Sequence, residues 1–193
     1  MAADVAVATA IVDMYAKCGI IDTSRRVYNQ MKQKNVVSWS AMVAAYGMNG
    51  LPREALELLP EMKSQGLKPN PMTALSALSA CSHGGLIKEG FAFLKSMVHE
   101  YGIVPESEHY SCVIYILCRA GKVDIAMELI KQIPGGIKVG ASAWGALLST
   151  CCSRGNSELG VGALSHILKL EPMNSSGICW DKKCMQQKVH GTM

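Results

Sequence analysis

Small and apolar residues recur along this chain at helical spacing, in ten segments separated by short polar turns. Every second segment ends at a glycine, and these glycines are Gly19, Gly50, Gly85, Gly121 and Gly155. The segment after each glycine has an apolar stripe between charges, as in Ala55, Leu59 and Met62. Because glycine adopts the left-handed conformation that ends a helix, the pattern predicts paired helices joined by tight turns.

The spacing of these glycines predicts the architecture. Successive glycines lie 31, 35, 36 and 34 residues apart, a period within the 20–50 residues typical of solenoid repeats. Some second helices also close with glycine and then proline, as at Gly66 and Pro69, and no segment has the alternation of a strand. We therefore predict an all-α fold, a right-handed α-solenoid of stacked helix-turn-helix repeats.

One proline falls inside a predicted helix. Pro60 would remove the hydrogen bond to the Leu56 carbonyl and crowd that turn, at a cost of about 3 kcal/mol in a straight helix. We predict a kink or an early helix end near residues 56–60.

Composition excludes several classes of protein. Apolar residues make up 49% of the 193 residues, which suffices for a core, but no apolar run is long enough to span a bilayer. The net charge of +4 permits a polyanionic partner without requiring one. Of the eight cysteines, most lie on apolar helix faces or beside turns, and no CxxC occurs. We interpret them as buried thiols in a reducing compartment.

Several segments resemble the pentatricopeptide repeats of plants, in the subclass whose repeats vary in length. The resemblance lies in VDMYAKCG, VSWSAMVAAYG, EALELLPEMKSQGLKPN and LSACSHGGLIKEG, and it covers roughly residues 5–177. The block that begins at Ala141 and contains Trp144 is similar to the extension motif, called E, that follows the last repeat in this subclass. The resemblance implies that each repeat reads one RNA base, with first helices on the concave side and second helices on the convex side.

The resemblance also divides the chain into units. The layout is an N-terminal tail over 1–4, a short-type repeat over 5–35, a standard repeat over 36–70, a long-type repeat over 71–106, a second short-type repeat over 107–140, the extension motif over 141–177 and an irregular tail over 178–193.

The resemblance implies which residues contact RNA. In the family, the fifth and last residues of a repeat hydrogen-bond one base edge together. Here the pairs are Thr9 with Asn35 and Ser40 with Asn70, and a hydroxyl with an amide favours adenine. Residues at the second position clamp a base between them, a role that suits the apolar Val37 and Met72.

The later units depart from this pairing. The long unit offers Leu75 with Glu106, and because the leucine has no polar group we expect it to pack. The fourth unit offers Ser111, an RNA-binding candidate, with Gly140. We assign Trp39, Tyr110 and Trp144, which share one repeat position, to packing between helices.

A structural role explains the same polar residues equally simply. Asparagine is a common N-cap, so Asn35 and Asn70 could serve only to begin helices. Thr9, Ser40 and Ser111 could be ordinary residues of a first turn. The recurrence of amide and hydroxyl at equivalent repeat positions favours the RNA-binding interpretation.

No catalytic residue, metal site or cofactor is expected. Relatives in this subclass often continue into a DYW-type cytidine deaminase domain, which needs H-x-E and C-x-x-C to hold zinc. This chain has neither motif, and Cys179 and Cys184 are five residues apart. The chain also lacks a phosphate-binding glycine loop and GxSxG. We interpret it as a non-enzymatic protein.

The resemblance implies binding of single-stranded RNA that positions a transcript for cytidine-to-uridine editing. The deaminase would come from a partner pentatricopeptide repeat protein or other editing factors, in a mitochondrion or chloroplast. No transit peptide is expected here, since the start carries Asp4 and no basic residue before Lys17. Neither a membrane nor a small-molecule substrate is expected. The alternatives are a helical-repeat scaffold that binds protein and a truncated inactive fragment.

Overall fold

The computed structural model describes residues 2–170, which fall into two compact units, 2–116 and 117–170. All regular secondary structure in this range is α-helical. The helices are α1 (Ala2–Lys17), α2 (Ile21–Gln30), α3 (Val36–Met48), α4 (Pro52–Ser64), α5 (Pro71–Gly84), α6 (Ile87–His99), α7 (Ser107–Arg119), α8 (Val123–Gln132), α9 (Ala141–Ser153) and α10 (Ser157–Leu170). The boundary between the units falls inside α7.

The glycines end helices as predicted. Gly19, Gly50, Gly85, Gly121 and Gly155 all have φ between +68° and +76°, the left-handed conformation. Gly66 and Gly102, which follow second helices, also have positive φ. Only glycine reaches this region without a steric penalty from Cβ, so the sequence period becomes the period of the helix pairs.

In the first unit, the first helices α1, α3 and α5 pack side by side in chain order. Small residues let α3 and α5 approach closely, since a Cβ built on Gly47 would lie 2.8 Å from the Ala80 Cβ. The core between the helices contains Met42, Leu58 and Leu78, all essentially buried. In the second unit, α9 packs on α8 and α10, with Leu147 and Ile167 buried.

Two sequence expectations need correction or qualification. The helix α4 does not end near residues 56–60 but continues through Pro60 to Ser64, so an early end is wrong. Pro60 is exposed, so water can hydrate the Leu56 carbonyl that loses its donor. At the N-terminus α1 begins at Ala2, within the segment 1–4 assigned to a tail, because Asp4 favours a first helical turn. Residues 171–177 of the extension motif and the tail 178–193 lie outside the described residues.

No helix in the range 2–170 combines the length and apolar character needed to cross a bilayer.

Candidate nucleic-acid interface

The predicted pair consists of Ser40 on α3 and Asn70 at the start of α5, and a third residue, Thr73, joins them. The Thr73 hydroxyl oxygen is 2.6 Å from the Ser40 hydroxyl oxygen and donates to Asn70 Oδ1 at 2.9 Å. The Thr73 backbone N–H donates to the same Oδ1 at 2.8 Å. We call Ser40, Asn70, Met72 and Thr73 the Asn70 junction. The structure therefore brings this pair together, although 30 positions separate its members in the sequence.

Asn70 is the N-cap of α5, and the oxygen and nitrogen of its side-chain amide have different roles. Oδ1 accepts from the N3 residue Thr73, and the Asn70 backbone N–H donates to the Thr73 hydroxyl at 3.3 Å. A carbonyl oxygen has two lone pairs, and both are used by Thr73. The Asn70 Nδ2 group donates no hydrogen bond to any residue between 2 and 170, and the residue is exposed. Asn70 therefore presents hydrogen-bond donors to an incoming ligand.

A matching cap begins α3. Asn35 Oδ1 accepts from the Ser38 backbone N–H at 2.9 Å, and the Asn35 backbone N–H donates to the Ser38 hydroxyl at 3.0 Å. Thr9, Asn35 and Val37 line one groove beside α1. We call Thr9, Asn35, Val37 and Ser38 the Asn35 junction. The structure thus also brings the first predicted pair together.

The two junctions differ in the acceptor to which the hydroxyl at the N3 position, Ser38 or Thr73, donates. The Ser38 hydroxyl donates to the Asn35 backbone carbonyl at 2.9 Å rather than to Oδ1. Asn35 Oδ1 therefore keeps a free lone pair, and this amide presents both donor and acceptor groups. The Thr9 hydroxyl donates to the Val5 carbonyl at 2.7 Å, as the Ser40 hydroxyl does to the Val36 carbonyl at 2.8 Å.

An acidic residue that the sequence analysis did not select also lines the first groove. Asp13, one turn beyond Thr9 on α1, carries a carboxylate 2.6 Å from the Lys17 ammonium. A bare carboxylate would repel a phosphodiester chain, and the lysine offsets that charge locally. A Lys or Arg four residues after an acid on the same helix face is the sequence signal for such pairing.

The two apolar clamp candidates are among the most exposed hydrophobic residues of the first unit. Val37 and Met72 are each 63% exposed, at the second position of α3 and of α5. Neither side chain contributes to the core. Their exposure leaves both free to contact a ligand at the junctions.

The candidate residues of the two later units are not arranged like those of the two junctions. Leu75 is half-buried, whereas Glu106 is exposed and its backbone N–H donates to His109 Nδ1 at 3.0 Å. Ser111 is half-buried in α7, and Gly140 is the N-cap of α9 without a capping side chain. Neither of these pairs has an amide that faces a hydroxyl, as the first two junctions have.

The packing role assigned to the tryptophans is confirmed. Trp39 is 1% exposed and meets the Tyr28 ring edge-on, with ring centroids 5.5 Å apart. Trp144 is buried and stacks on the His166 ring at a centroid distance of 4.2 Å. Tyr110 is half-buried. The two tryptophans are thus unavailable to stack on bases.

The described cysteines do not form a reactive centre. Cys81, Cys118 and Cys151 are buried free thiols, whereas Cys18 is exposed. Burial raises the pKa of the Cys81 thiol to about 12 and that of the Cys118 thiol to about 11. Such thiols stay protonated at neutral pH and are poor nucleophiles and metal ligands. Within residues 2–170, no group of three His, Cys, Asp or Glu side chains could hold a metal ion. Cys179 and Cys184 lie outside the described residues.

Sequence reasoning missed Ser38 and Thr73. Both are essentially buried and occupy the N3 position of a capping box whose N-cap is asparagine. The usual signature has serine or threonine at the N-cap and glutamate at N3. A search for asparagine followed three residues later by a hydroxyl would have found both.

Comparison with known proteins agrees with this architecture. Pentatricopeptide repeat models match residues 7–36, 34–83 and 101–134, which together cover more than half of the chain. A mitochondrial pentatricopeptide repeat-containing protein of Arabidopsis thaliana is 46% identical over 168 residues, covering 87% of this chain and 30% of that protein. A chloroplastic one from the same plant is 42% identical, covering 94% and 22%. The chain thus spans between a fifth and a third of these relatives.

Two solved structures share the fold. The maize pentatricopeptide repeat protein PPR10 superposes with a TM-score of 0.72 at 21% identity, over 90% of this chain and 25% of PPR10. The repeat domain of Arabidopsis protein-only RNase P 1, solved with tRNA, gives 0.74 at 17% identity, over 95% and 99%. The fold class is an all-α helical-repeat solenoid. From the repeat models, the relatives and the helix pairs, we conclude that this chain belongs to the plant pentatricopeptide repeat family.

Proposed function

We propose that the chain binds single-stranded RNA, with the Asn35 junction and the Asn70 junction each contacting one of two adjacent nucleotides. The observation that carries this proposal is the pairing of a hydroxyl with an asparagine amide at two successive junctions. Each amide uses Oδ1 to cap a helix and leaves Nδ2 without a partner in the described chain. Unpaired base edges need such donors and acceptors, whereas bases in a duplex have their edges occupied.

The exposed apolar residues support the same proposal. Val37 and Met72 stand beside the two asparagines, where each can cover the face of a base. Among the structural neighbours, PPR10 has been solved in complex with an 18-nucleotide psaJ RNA element. The neighbours share the fold at low identity, so the proposal depends on the side chains of this chain rather than on theirs.

We further propose that binding positions an organelle transcript for cytidine-to-uridine editing by an enzyme supplied in trans. The mitochondrial and chloroplastic relatives support an organelle, and the chain's own candidate residues bind rather than react. The alternation of short-type, standard and long-type repeats (the PLS subclass), the layout of units and the E-type extension over 141–177 belong to this proposal. Editing in a reconstituted reaction should appear only after a deaminase-bearing partner is added. Zinc at one equivalent, or deamination by the chain alone, would overturn this part.

The binding proposal is tested by titrating the full chain with one RNA sequence in single-stranded and duplex form. We expect weak, salt-sensitive binding to the single strand, because few repeats contact few phosphates and the net charge is only +4. The duplex should bind more weakly at every salt concentration. Equal affinity for both forms would reject the proposal and favour a scaffold that binds protein. No binding to either form would favour an inactive fragment.

A further inference from the structure

Thr73 is buried between the two residues proposed to contact one base. We propose that Thr73 is a positioning residue that fixes the hydrogen-bond polarity of the Ser40–Asn70 pair. This inference rests on the RNA-binding function proposed above and assigns a new role within it. Thr73 is 0% exposed, so it cannot contact the base itself and acts only through its two neighbours.

The hydroxyl of Thr73 touches both members of the pair. Its oxygen lies 2.6 Å from Ser40 Oγ and 2.9 Å from Asn70 Oδ1, and it accepts from the Asn70 backbone N–H at 3.3 Å. Each distance is within the range of a hydrogen bond or close to its limit. The three side chains therefore form one connected network across the seam between α3 and α5.

The positions of the two hydroxyl protons determine which hydrogen-bonding groups this network presents to a base. Each hydroxyl has a single proton. When Thr73 donates to Asn70 Oδ1, Ser40 donates to Thr73 or to the Val36 carbonyl at 2.8 Å. When Thr73 donates to Ser40 instead, Ser40 still donates to Val36. In every arrangement the Ser40 proton is used inside the protein, so Ser40 offers an acceptor.

The same network fixes Asn70. The Thr73 backbone N–H donates to Asn70 Oδ1 in every arrangement, which holds the amide with Nδ2 as the free donor group, and when the Thr73 hydroxyl also donates to Oδ1 both lone pairs are used. The pair thus offers one acceptor and one donor in a fixed order. A base edge with a donor and an acceptor in the complementary order fits, and an edge with the reverse order does not. Adenine and guanine present these groups in opposite order at positions 6 and 1.

Removing the Thr73 hydroxyl should make this junction resemble the other one. In Thr73→Val the β-branched shape remains, but Asn70 Oδ1 regains a free lone pair, as Asn35 Oδ1 has now. The Asn70 side chain then offers a base an acceptor, Oδ1, in addition to the donor Nδ2. Discrimination between adenine and guanine at this nucleotide should fall by about tenfold, while overall affinity changes little.

The test uses the full chain and sixteen RNAs, which carry every nucleotide combination at two adjacent positions in an oligouridine background. The parent is compared with Thr73→Val, with the conservative Thr73→Ser and with Thr150→Val. The last is the matched control, because it removes the same hydroxyl from a threonine of α9 that lies outside both junctions and hydrogen-bonds backbone carbonyls. We expect Thr73→Val to lose discrimination at one nucleotide, and Thr73→Ser and Thr150→Val to keep it.

Unchanged discrimination in Thr73→Val, with a discriminating parent, would overturn the role of Thr73 and leave the binding function intact. A parent that binds these RNAs without any base preference would also overturn the role of Thr73 but leave single-strand binding intact, whereas a parent that binds none of the sixteen RNAs would overturn both. Should Thr73→Val not fold, the parent still decides the matter by nuclear magnetic resonance. A slowly exchanging Thr73 hydroxyl proton is expected from the network, and rapid exchange with water would contradict it.

Discussion

The Asn35 junction and the Asn70 junction contain the same kinds of residue but present different hydrogen-bonding groups. Each has a hydroxyl on the first helix, an asparagine N-cap, an exposed apolar residue and a buried hydroxyl at N3. Ser38 donates to the Asn35 backbone carbonyl, whereas Thr73 donates to the Asn70 side chain and meets Ser40. Equivalent residues in successive repeats can therefore differ in how far they constrain a base.

The comparison also removes an apparent choice between capping and RNA binding. Asn35 and Asn70 do cap helices, through Oδ1. Capping holds the amide still through Oδ1, and Nδ2 donates no hydrogen bond to any residue of the described chain. A residue ordered for helix stability loses less conformational entropy when it later binds a ligand, so the two roles support each other.

The largest expected effect is a change in the stability of the fold that leaves the base preference of both junctions unchanged. Replacing the exposed Pro60 by glutamate restores the backbone donor to the Leu56 carbonyl within α4. Stability should rise by up to about 3 kcal/mol, observed as a higher melting temperature. Pro60→Ala controls for the added charge. Base preference at both nucleotides should stay as in the parent, and an unchanged or lower melting temperature in both variants would contradict this.

A smaller effect is expected when the packing of α3 on α5 is disturbed. This change should weaken the Asn70 junction and leave the Asn35 junction intact. Gly47→Ala places a Cβ 2.8 Å from the Ala80 Cβ, which forces α3 away from α5. Overpacking costs about 1–3 kcal/mol, and the gain in helix propensity returns at most about 1 kcal/mol. We expect a lower melting temperature and a weaker preference at the nucleotide facing Asn70. Ala44→Gly in the same helix is a control for helix propensity alone, and equal losses at both nucleotides in Gly47→Ala would disagree with this seam-specific account.

The helices and their ends could be predicted because they depend on local physics. The positive φ of Gly19 and Gly50 follows from the absence of Cβ, and the apolar stripe identifies the buried face. The span of α4 through Pro60 could not be predicted, since it depends on which face of the folded helix meets water.

The candidate site was only partly predictable, for a related reason. The pairs Thr9–Asn35 and Ser40–Asn70 were implied by the resemblance to pentatricopeptide repeats, and the structure places the members of each pair near one another. The hydrogen bond between the Ser40 and Thr73 hydroxyls joins residues 33 positions apart, and no local pattern encodes it. The direction in which the Ser38 and Thr73 hydroxyls donate depends on rotamers that are set by tertiary packing.

The smallest expected effect concerns the exposed apolar residues. Val37→Ser and Met72→Ser should each weaken RNA binding by less than about 1 kcal/mol, below the range for aromatic stacking. Both side chains are 63% exposed, so the melting temperature should not change. Base preference should persist in both variants, because covering a base face does not read its edge. Exposed Val98→Ser on α6 serves as the control, and an equal loss of affinity there would remove the case for clamping.

The central claim is that Asn70 contacts a base as well as capping α5. Asn70→Asp tests it most directly, because aspartate caps about as well but replaces the free donor with a carboxylate acceptor. Binding is measured with four RNAs that differ only at the nucleotide facing Asn70. We predict a switch from adenine to guanine, with loss of the adenine contact costing on the order of 1–3 kcal/mol and the parent's melting temperature retained. The same flat profile for parent and Asn70→Asp would contradict the claim and leave Asn70 as a helix cap alone.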